Sequence, residues 1–297
     1  MKSVKLFVTG LLAIMARAGL LVMLSVAFAN SAEVQPTELD RGFKHLYNLN
    51  FKEAQREFSG WQKLHPDDAV GHACEAVGII FEEFSRLGVL ESELFTDNEK
   101  FTNSKPPKPD AAVKTRLNAV LQKSETMANA QLARDPKAAS ALFALTMVAG
   151  MRSDYLGLIE KRYVASLKQD KLASEFSNKV IAIQPDWYDA YLASGVSQYV
   201  VGSLIAPLRW GLQALGYEAD KKKGVERVKL TAERGRYFAP YARILLAVVA
   251  LRDKQPDRAC QLLEGLKRDY PDNPLFSREL ERIQRRTAKT TPASKRK

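Results

Sequence analysis

The sequence predicts an all-α fold built from about five helical hairpins. Three observations indicate this fold class. Apolar residues recur with helical spacing along most of the chain, and 46% hydrophobic against 27% charged residues is enough for a sizeable core. Prolines close successive segments at Pro66, Pro136, Pro185, Pro240 and Pro271. A small or β-branched residue stands twelve positions before each of them: Ala54, Ser124, Ala173, Val228 and Ala259.

The first and last hairpins show the repeat most clearly. Gly42, Ala54, Phe58 and Pro66 are spaced so that small residues allow two helices to cross, a large side chain fills the gap, and proline begins the turn. A middle hairpin places Tyr191 and Gly195 after its proline. The complete set of predicted packing residues is Gly42, Ala54, Phe58, Pro66, Ala173, Pro185, Tyr191, Gly195, Ala259, Leu263 and Pro271.

In this pattern the chain resembles the tetratricopeptide repeat (TPR) proteins of the exported bacterial type, most specifically over residues 37–66 and 243–271. The resemblance implies a right-handed α-solenoid whose concave groove binds peptides or proteins and which has no activity of its own. Asp189, Ala193 and Ser197 share one helix face, so we expect them to face that groove. The order of residues 202–226 is also similar to the eukaryotic inclusion-body-clearance family of TPR-like proteins.

Unequal proline spacings predict insertions. The spacings are 70, 49, 55 and 31 residues, whereas a standard repeat has 34. First helices are expected near residues 68–87, 137–150, 187–201 and 240–252, and second helices near 51–65, 111–134, 170–183, 221–236 and 256–270. A last helix is expected over 275–286. The surplus residues then all fall between the first and second helices of a hairpin. We predict a loop over 88–109, a helical extension over 151–169 and an apolar segment over 202–220.

The apolar insertion is the best functional candidate. Trp and Leu beside Lys and Arg suit a membrane interface, although a short helix packed into the core and a docking surface for a protein both remain open. Its candidate partner or membrane residues are Leu204, Leu208, Arg209, Trp210, Tyr217, Lys221, Lys222 and Lys223.

The N-terminus has the features of a secretory signal. Residues 1–29 contain two early lysines and an apolar region, and they end on Ala27-Phe28-Ala29, which a signal peptidase reads. Translation from Met15 also gives a compact signal, and an uncleaved membrane anchor is the alternative. We expect a linker over residues 30–36, the helical array over 37–286, a basic tail over 287–297, and a location in the bacterial periplasm or cell envelope.

Charge argues against nucleic-acid binding. Of the net charge of +11, the first 29 residues carry three and residues 281–297 carry six, so the body is nearly neutral. A nucleic-acid-binding fold needs a basic face, which this distribution does not provide.

No pattern for catalysis, a metal or a cofactor is found. His72 and Cys74 are two residues apart on a predicted helix and therefore point in different directions. We expect His45 and His72 to be packing residues, and Cys74 and Cys260 to be buried free thiols because they lie in distant hairpins. Asn50, Asp68 and Asp220 are predicted N-caps.

These observations favour a non-catalytic scaffold or adaptor for a protein or peptide partner. The alternative is a peripheral membrane-surface protein that docks through residues 202–223.

Overall fold

A computed structural model describes residues 35–89 and 108–290, with side chains as far as residue 287, and all regular structure in these ranges is helical. The first four helices are α1 (Glu38–Tyr47), α2 (Phe51–Leu64), α3 (Ala69–Arg86) and α4 (Ala111–Arg134). The next four are α5 (Ala139–Asp154), α6 (Tyr163–Ile183), α7 (Tyr191–Gly202) and α8 (Ala206–Ala214). The last four are α9 (Lys221–Arg234), α10 (Ala239–Arg252), α11 (Pro256–Asp269) and α12 (Pro274–Thr290). The described residues from Thr37 onward form one compact unit.

Helices pack in the order in which they occur along the chain. The pairs α1 with α2, α3 with α4, α5 with α6, α7 with α9 and α10 with α11 are in contact, and each pair also contacts the next. The predicted helix bounds are confirmed to within a few residues, except that α6 begins seven residues early and α12 continues to Thr290. The predicted signal, most of the linker and the end of the tail lie outside the described residues.

Close helix crossings explain why small residues recur. A Cβ added to Gly42 would lie 2.4 Å from the ring of Phe58, so α1 and α2 can approach only because residue 42 is glycine. Gly195 similarly lies against α9, where a Cβ would be 2.9 Å from Arg227. The predicted packing residues Ala54, Phe58, Ala173, Ala259 and Leu263 are buried. Pro66, Pro185 and Pro271 are exposed at the turns.

All three predicted N-cap residues lie at the N-cap positions of their helices, and two of them make a capping hydrogen bond. The carboxylate of Asp68 accepts from the backbone N–H of Val70 at 3.0 Å, and that of Asp220 accepts from Lys223 at 3.0 Å. Asn50 also occupies the predicted N-cap position of α2, but its side chain makes no capping hydrogen bond.

Two of the three insertions can be followed. The loop predicted at 88–109 lies mostly outside the described residues. The helical extension at 151–169 is confirmed: α5 continues into a π-helical turn, Tyr155–Ile159, and a short link leads into α6. The third insertion contains α8.

The first hairpin also contacts the end of the array. Phe43 on α1 stacks on Tyr237 with 5.0 Å between ring centroids, and the hydroxyl of Tyr47 donates to the carbonyl of Tyr237 at 3.0 Å. Further along, the side-chain amide of Asn273 donates to the carbonyl of Tyr47 at 2.8 Å. Arg236 forms two hydrogen bonds of 2.7 Å with Asp40. The helices therefore close on themselves, and aromatic side chains from both ends meet in the interior.

Candidate functional site

The apolar insertion leaves the body of the protein and returns at the same point. A Cβ on Gly202 would lie only 2.5 Å from the backbone nitrogen of Lys221, so the ends of the segment are in contact. Gly216 has φ of +82°, a left-handed conformation that glycine adopts without strain, and it turns the chain back after α8. The residues between these ends form a protruding loop, which we call the α8 loop, residues 202–221.

Apolar side chains of the α8 loop are exposed. No residue of α8 is buried. The exposed fractions are 68% for Ile205, 58% for Leu208, 64% for Trp210 and 67% for Leu215. The alternative in which Trp210 packs into the core is therefore wrong: the short helix forms, but its tryptophan faces outward.

The exposed side chains lie on opposite sides of α8. Leu208 and Trp210 are two residues apart, which places them about 160° apart around a helix of 3.6 residues per turn. Ile205 and Leu215 fall on the side of Leu208. Arg209 and Gln213 lie together on a third, polar side, so α8 presents apolar side chains on two sides and not on all.

Polar contacts hold the base of the loop on α6. The hydroxyl of Tyr217 donates to the carbonyl of Leu167 at 3.1 Å. The ammonium of Lys171 donates to the carbonyl of Leu215 at 2.8 Å and lies over the Tyr217 ring. Tyr217 is thus an anchor to the protein and not part of the exposed surface. Leu204 and Arg209 are half-buried.

The predicted lysine cluster divides into one paired and two exposed residues. Lys221 forms an ion pair with Asp253 at 2.7 Å. Lys222 and Lys223 are exposed, and neither side chain has a hydrogen bond or ion pair within the described ranges. These two cations remain available to an external anion.

The residues expected in the concave groove mostly stabilise the fold. The buried carboxylate of Asp189 accepts backbone N–H groups of Arg236, Tyr237 and Phe238 at 2.7–3.1 Å. Ser197 donates to Asp170 at 2.6 Å. Asp189 and Ser197 thus have structural partners, and of the three residues Asp189 and Ala193 also line a cavity.

That cavity lies inside the helical array and was not predicted. It has a volume of about 90 Å³. Its walls come from α3, α5, α6, α7 and the start of α10, and the lining includes Phe81, Phe143, Phe238, Tyr241, Met147 and Met151. We call it the acidic cavity, because the side chains of Asp154 and Asp170 also line it.

Burial perturbs both carboxyl groups of the acidic cavity. Desolvation, with a smaller contribution from the charge of Asp170, raises the pKa of Asp154 to about 7. Desolvation also raises the pKa of Asp170 to about 6, although the hydrogen bond from Ser197 opposes that shift. Asp154 is partly exposed and lines the cavity, and its carboxylate has no hydrogen bond or ion pair among the described residues. A sequence signal existed, since Asp154 ends the long apolar stretch of α5.

Two more concave regions adjoin the interior. An apolar cavity of about 130 Å³ is lined by residues of α1, α3, α10 and α12 and shares Phe81 and Tyr241 with the acidic cavity. A wider cleft of about 440 Å³ on another part of the surface includes Trp61, Trp187 and Tyr188.

The histidines and cysteines have structural surroundings. His72 is buried with Nδ1 3.8 Å from Glu75. The contact with His72, and then hydrogen bonds from Gln62 and Arg116, lower the pKa of Glu75 to about 2. His45 is half-buried. Both cysteines are free thiols. Cys74 is buried, which raises its pKa well above the ordinary value, whereas Cys260 is only half-buried, contrary to expectation. Among the described residues no group of three or more His, Cys, Asp or Glu side chains could hold a metal ion.

One described helical stretch, Ala139–Ile159, is long and apolar enough to cross a membrane by length and composition. Two thirds of its apolar window is buried within the protein, which is typical of a core helix.

No family model matches the chain, and no curated protein matches it significantly.

Proposed function

We propose that this protein is a non-catalytic helical adaptor of the cell envelope, attached to the surface of an anionic lipid bilayer by the α8 loop. The observation that carries the proposal is the exposure of four large apolar side chains, two on opposite sides of α8 and one at each of its caps. Export through residues 1–29 and a TPR-like right-handed solenoid are part of the same proposal, supported by the signal-like N-terminus and by the consecutive packing of the helices.

Exposure on both sides of α8 favours lipid over a protein groove. A groove on a protein surface covers one face of a docked helix and leaves the other in water. Immersion of the loop in the interfacial region of a bilayer covers Leu208 and Trp210 together, although they lie on opposite sides of the helix. Tryptophan is also enriched at this depth, because its ring is largely apolar and its N–H can reach water or headgroups.

Charges near the loop favour an anionic membrane. Lys222 and Lys223 follow α8 and are exposed, whereas the half-buried Arg209 donates to the carbonyl of Leu204 at 3.4 Å within the loop. Each cation close to an anionic surface contributes about 1 kcal/mol, an effect that salt screens. Binding should therefore combine an apolar contribution with a salt-sensitive one.

Vesicle flotation tests the proposal. The protein beginning at Asn30, which contains the whole compact unit, should float with vesicles of phosphatidylglycerol and phosphatidylcholine at low salt, and less at high salt. The variant Leu208→Asp with Trp210→Asp should fold, because both side chains are exposed, and should remain at the bottom of the gradient. If the variant floats as well as the parent, the α8 loop is not the membrane contact.

A protein-binding scaffold is the second candidate, favoured by the cleft of about 440 Å³. Trp61, Trp187, Tyr188 and Arg234 line it, and aromatic residues and arginine are the types enriched where proteins bind one another. An extended peptide is the occupant that suits an open cleft of this size. Selection from a random peptide library should enrich one motif whose binding is lost in Tyr188→Ala, and enrichment that is unchanged in this variant rejects the cleft.

A further inference from the structure

We propose that the acidic cavity binds a small alkylammonium ion, with the nitrogen at the carboxylate of Asp154 and the alkyl group against the aromatic and methionine side chains. This inference is independent of the attachment of the protein to a membrane. It concerns a cavity between helices and a small-molecule ligand.

The first argument is charge. The two other buried carboxylates nearby have partners: Asp170 accepts from Ser197, and Asp189 accepts from three backbone N–H groups. Among the described residues Asp154 has neither a hydrogen-bond donor nor a cation as partner, and none of their Lys, Arg or His side chains lines the cavity. An unpaired carboxylate enclosed by protein is costly, and a bound cation removes that cost.

The second argument is the chemistry of the walls. Phe81, Phe143, Phe238 and Tyr241 surround the carboxylates with aromatic rings. Rings attract organic cations through their negative faces, and the attraction is stronger where water is excluded. Methionine side chains from α5 adapt to the shape of an alkyl group. Carboxylates within aromatic and thioether walls select a ligand that is both positively charged and apolar.

The third argument is space. The volume of about 90 Å³ accommodates roughly six water-sized positions, which is close to the size of butylammonium. Gly150 lies on the wall, and no atom comes within 4 Å of a Cβ built on it. A glycine in the middle of α5 thus leaves room that any other residue would fill. Asp154 lies immediately before the π-helical turn, and such turns are frequent at functional sites.

A metal ion suits the cavity less well than an organic cation. Calcium takes six to eight oxygen ligands and magnesium needs octahedral coordination. In the part of the chain that the structure describes, three carboxylates line the cavity, and that of Asp189 already accepts three backbone hydrogen bonds.

The test compares n-butylammonium with uncharged n-butanol and with calcium, using thermal unfolding and titration calorimetry at pH 8 on the protein beginning at Asn30. Because a ligand of the native state stabilises it by mass action, butylammonium should raise Tm by several degrees, whereas equimolar butanol or CaCl2 should not. Asp154→Asn should fold, since it removes a buried charge, and should weaken butylammonium binding at least tenfold.

A second pair of variants tests whether butylammonium occupies the cavity, without changing the charge of Asp154. Gly150→Leu should abolish binding by filling the cavity. Gly211→Leu is the matched control, because Gly211 is also helical with no atom within 4 Å of an added Cβ, but lies on α8. The proposal is overturned if butylammonium gives no shift, if butanol or calcium stabilises as much as butylammonium does, or if Asp154→Asn or Gly150→Leu binds like the parent.

Discussion

At the scale of single residues, Asp154 makes the protein less stable than it could be. Its pKa of about 7 lies well above the ordinary value of 3.8, because the surroundings disfavour the charged form. The native state therefore holds a proton between pH 4 and 7 that the unfolded chain has released. Stability from this group is fully present below pH 4 and is lost as pH rises through 7.

The substitution Asp154→Asn should remove this pH dependence. At pH 8 the variant should be more stable than the parent by about 2 kcal/mol, a value below the full shift because the group still faces a cavity. At pH 4 the two proteins should differ by less than about 0.5 kcal/mol. Urea unfolding at both pH values measures the difference, and an equal difference at both pH values would contradict the assignment.

Substitution of glycine by alanine should have opposite effects on the free energy of unfolding at Gly150 and at Gly42. Gly150→Ala should stabilise by about 0.5–1 kcal/mol, because alanine favours a helix and its Cβ meets no atom within 4 Å. Gly42→Ala should destabilise by about 1–3 kcal/mol, because the new Cβ would lie 2.4 Å from the fully buried ring of Phe58. Chemical unfolding of the two variants measures both signs. Destabilisation by Gly150→Ala would show that an added Cβ clashes with neighbouring atoms, so that the cavity does not extend to this position.

At the scale of an element, α8 differs from the other described helices in having no buried residue. Its position depends on contacts at the base of the loop, such as Tyr217 with Leu167, and not on packing of the helix itself. Removing an apolar side chain from α8 should therefore change attachment to the bilayer while leaving the stability of the folded unit nearly unchanged.

Single substitutions distinguish immersion of α8 from docking of one face. Leu208→Asp and Trp210→Asp should each weaken flotation with anionic vesicles, by at least threefold in the bound fraction. Leu64→Asp is a matched control, because Leu64 is 65% exposed but lies at the end of α2. If only one of the two α8 variants weakens flotation, a single face docks and the argument for lipid on both sides is wrong.

At the scale of the whole molecule, contacts between the first and last hairpins set this fold apart from an open array. In an open array each repeat contacts only its neighbours, and the ends unfold most easily. Here the side-chain amide of Asn273, which is 5% exposed, joins the chain before α12 to the carbonyl of Tyr47 at the end of α1. Its side-chain oxygen also caps α12 by accepting from Leu275 at 2.9 Å.

The substitution Asn273→Ala should destabilise the protein by about 1–3 kcal/mol, since it leaves a buried carbonyl without its donor. Hydrogen exchange should show that α1 loses protection in this variant. Asn178→Ala is the comparison, because Asn178 accepts from Arg227 between neighbouring helices α6 and α9. Equal loss of protection of α1 in both variants would mean that closure does not depend on the contact of Asn273 with α1.

The bounds of the helices could be predicted from the sequence, whereas the contacts that join the first hairpin to the last could not. Helix bounds such as 111–134 depend on nearby residues, with Asp110 capping the start of α4, so they can be inferred from a short window. Closure joins Tyr47 to Tyr237 and Asp40 to Arg236 across almost 200 positions, and such pairs leave no local pattern. The acidic cavity was missed for the same reason, because Asp154 and Asp170 meet only after the π-helical turn brings α6 back onto α5.

The most direct test of attachment through α8 is the fluorescence of tryptophan with vesicles that contain brominated lipid. The chain has three tryptophans. Trp61 is held by a hydrogen bond to Asp68, and Trp187 packs on Phe143, so only Trp210 should reach the quencher. We predict quenching in the parent on anionic vesicles and its loss in Trp210→Phe, which should still float because phenylalanine is apolar. Equal quenching in the two proteins, or none in either at a lipid concentration where they float, would contradict the account.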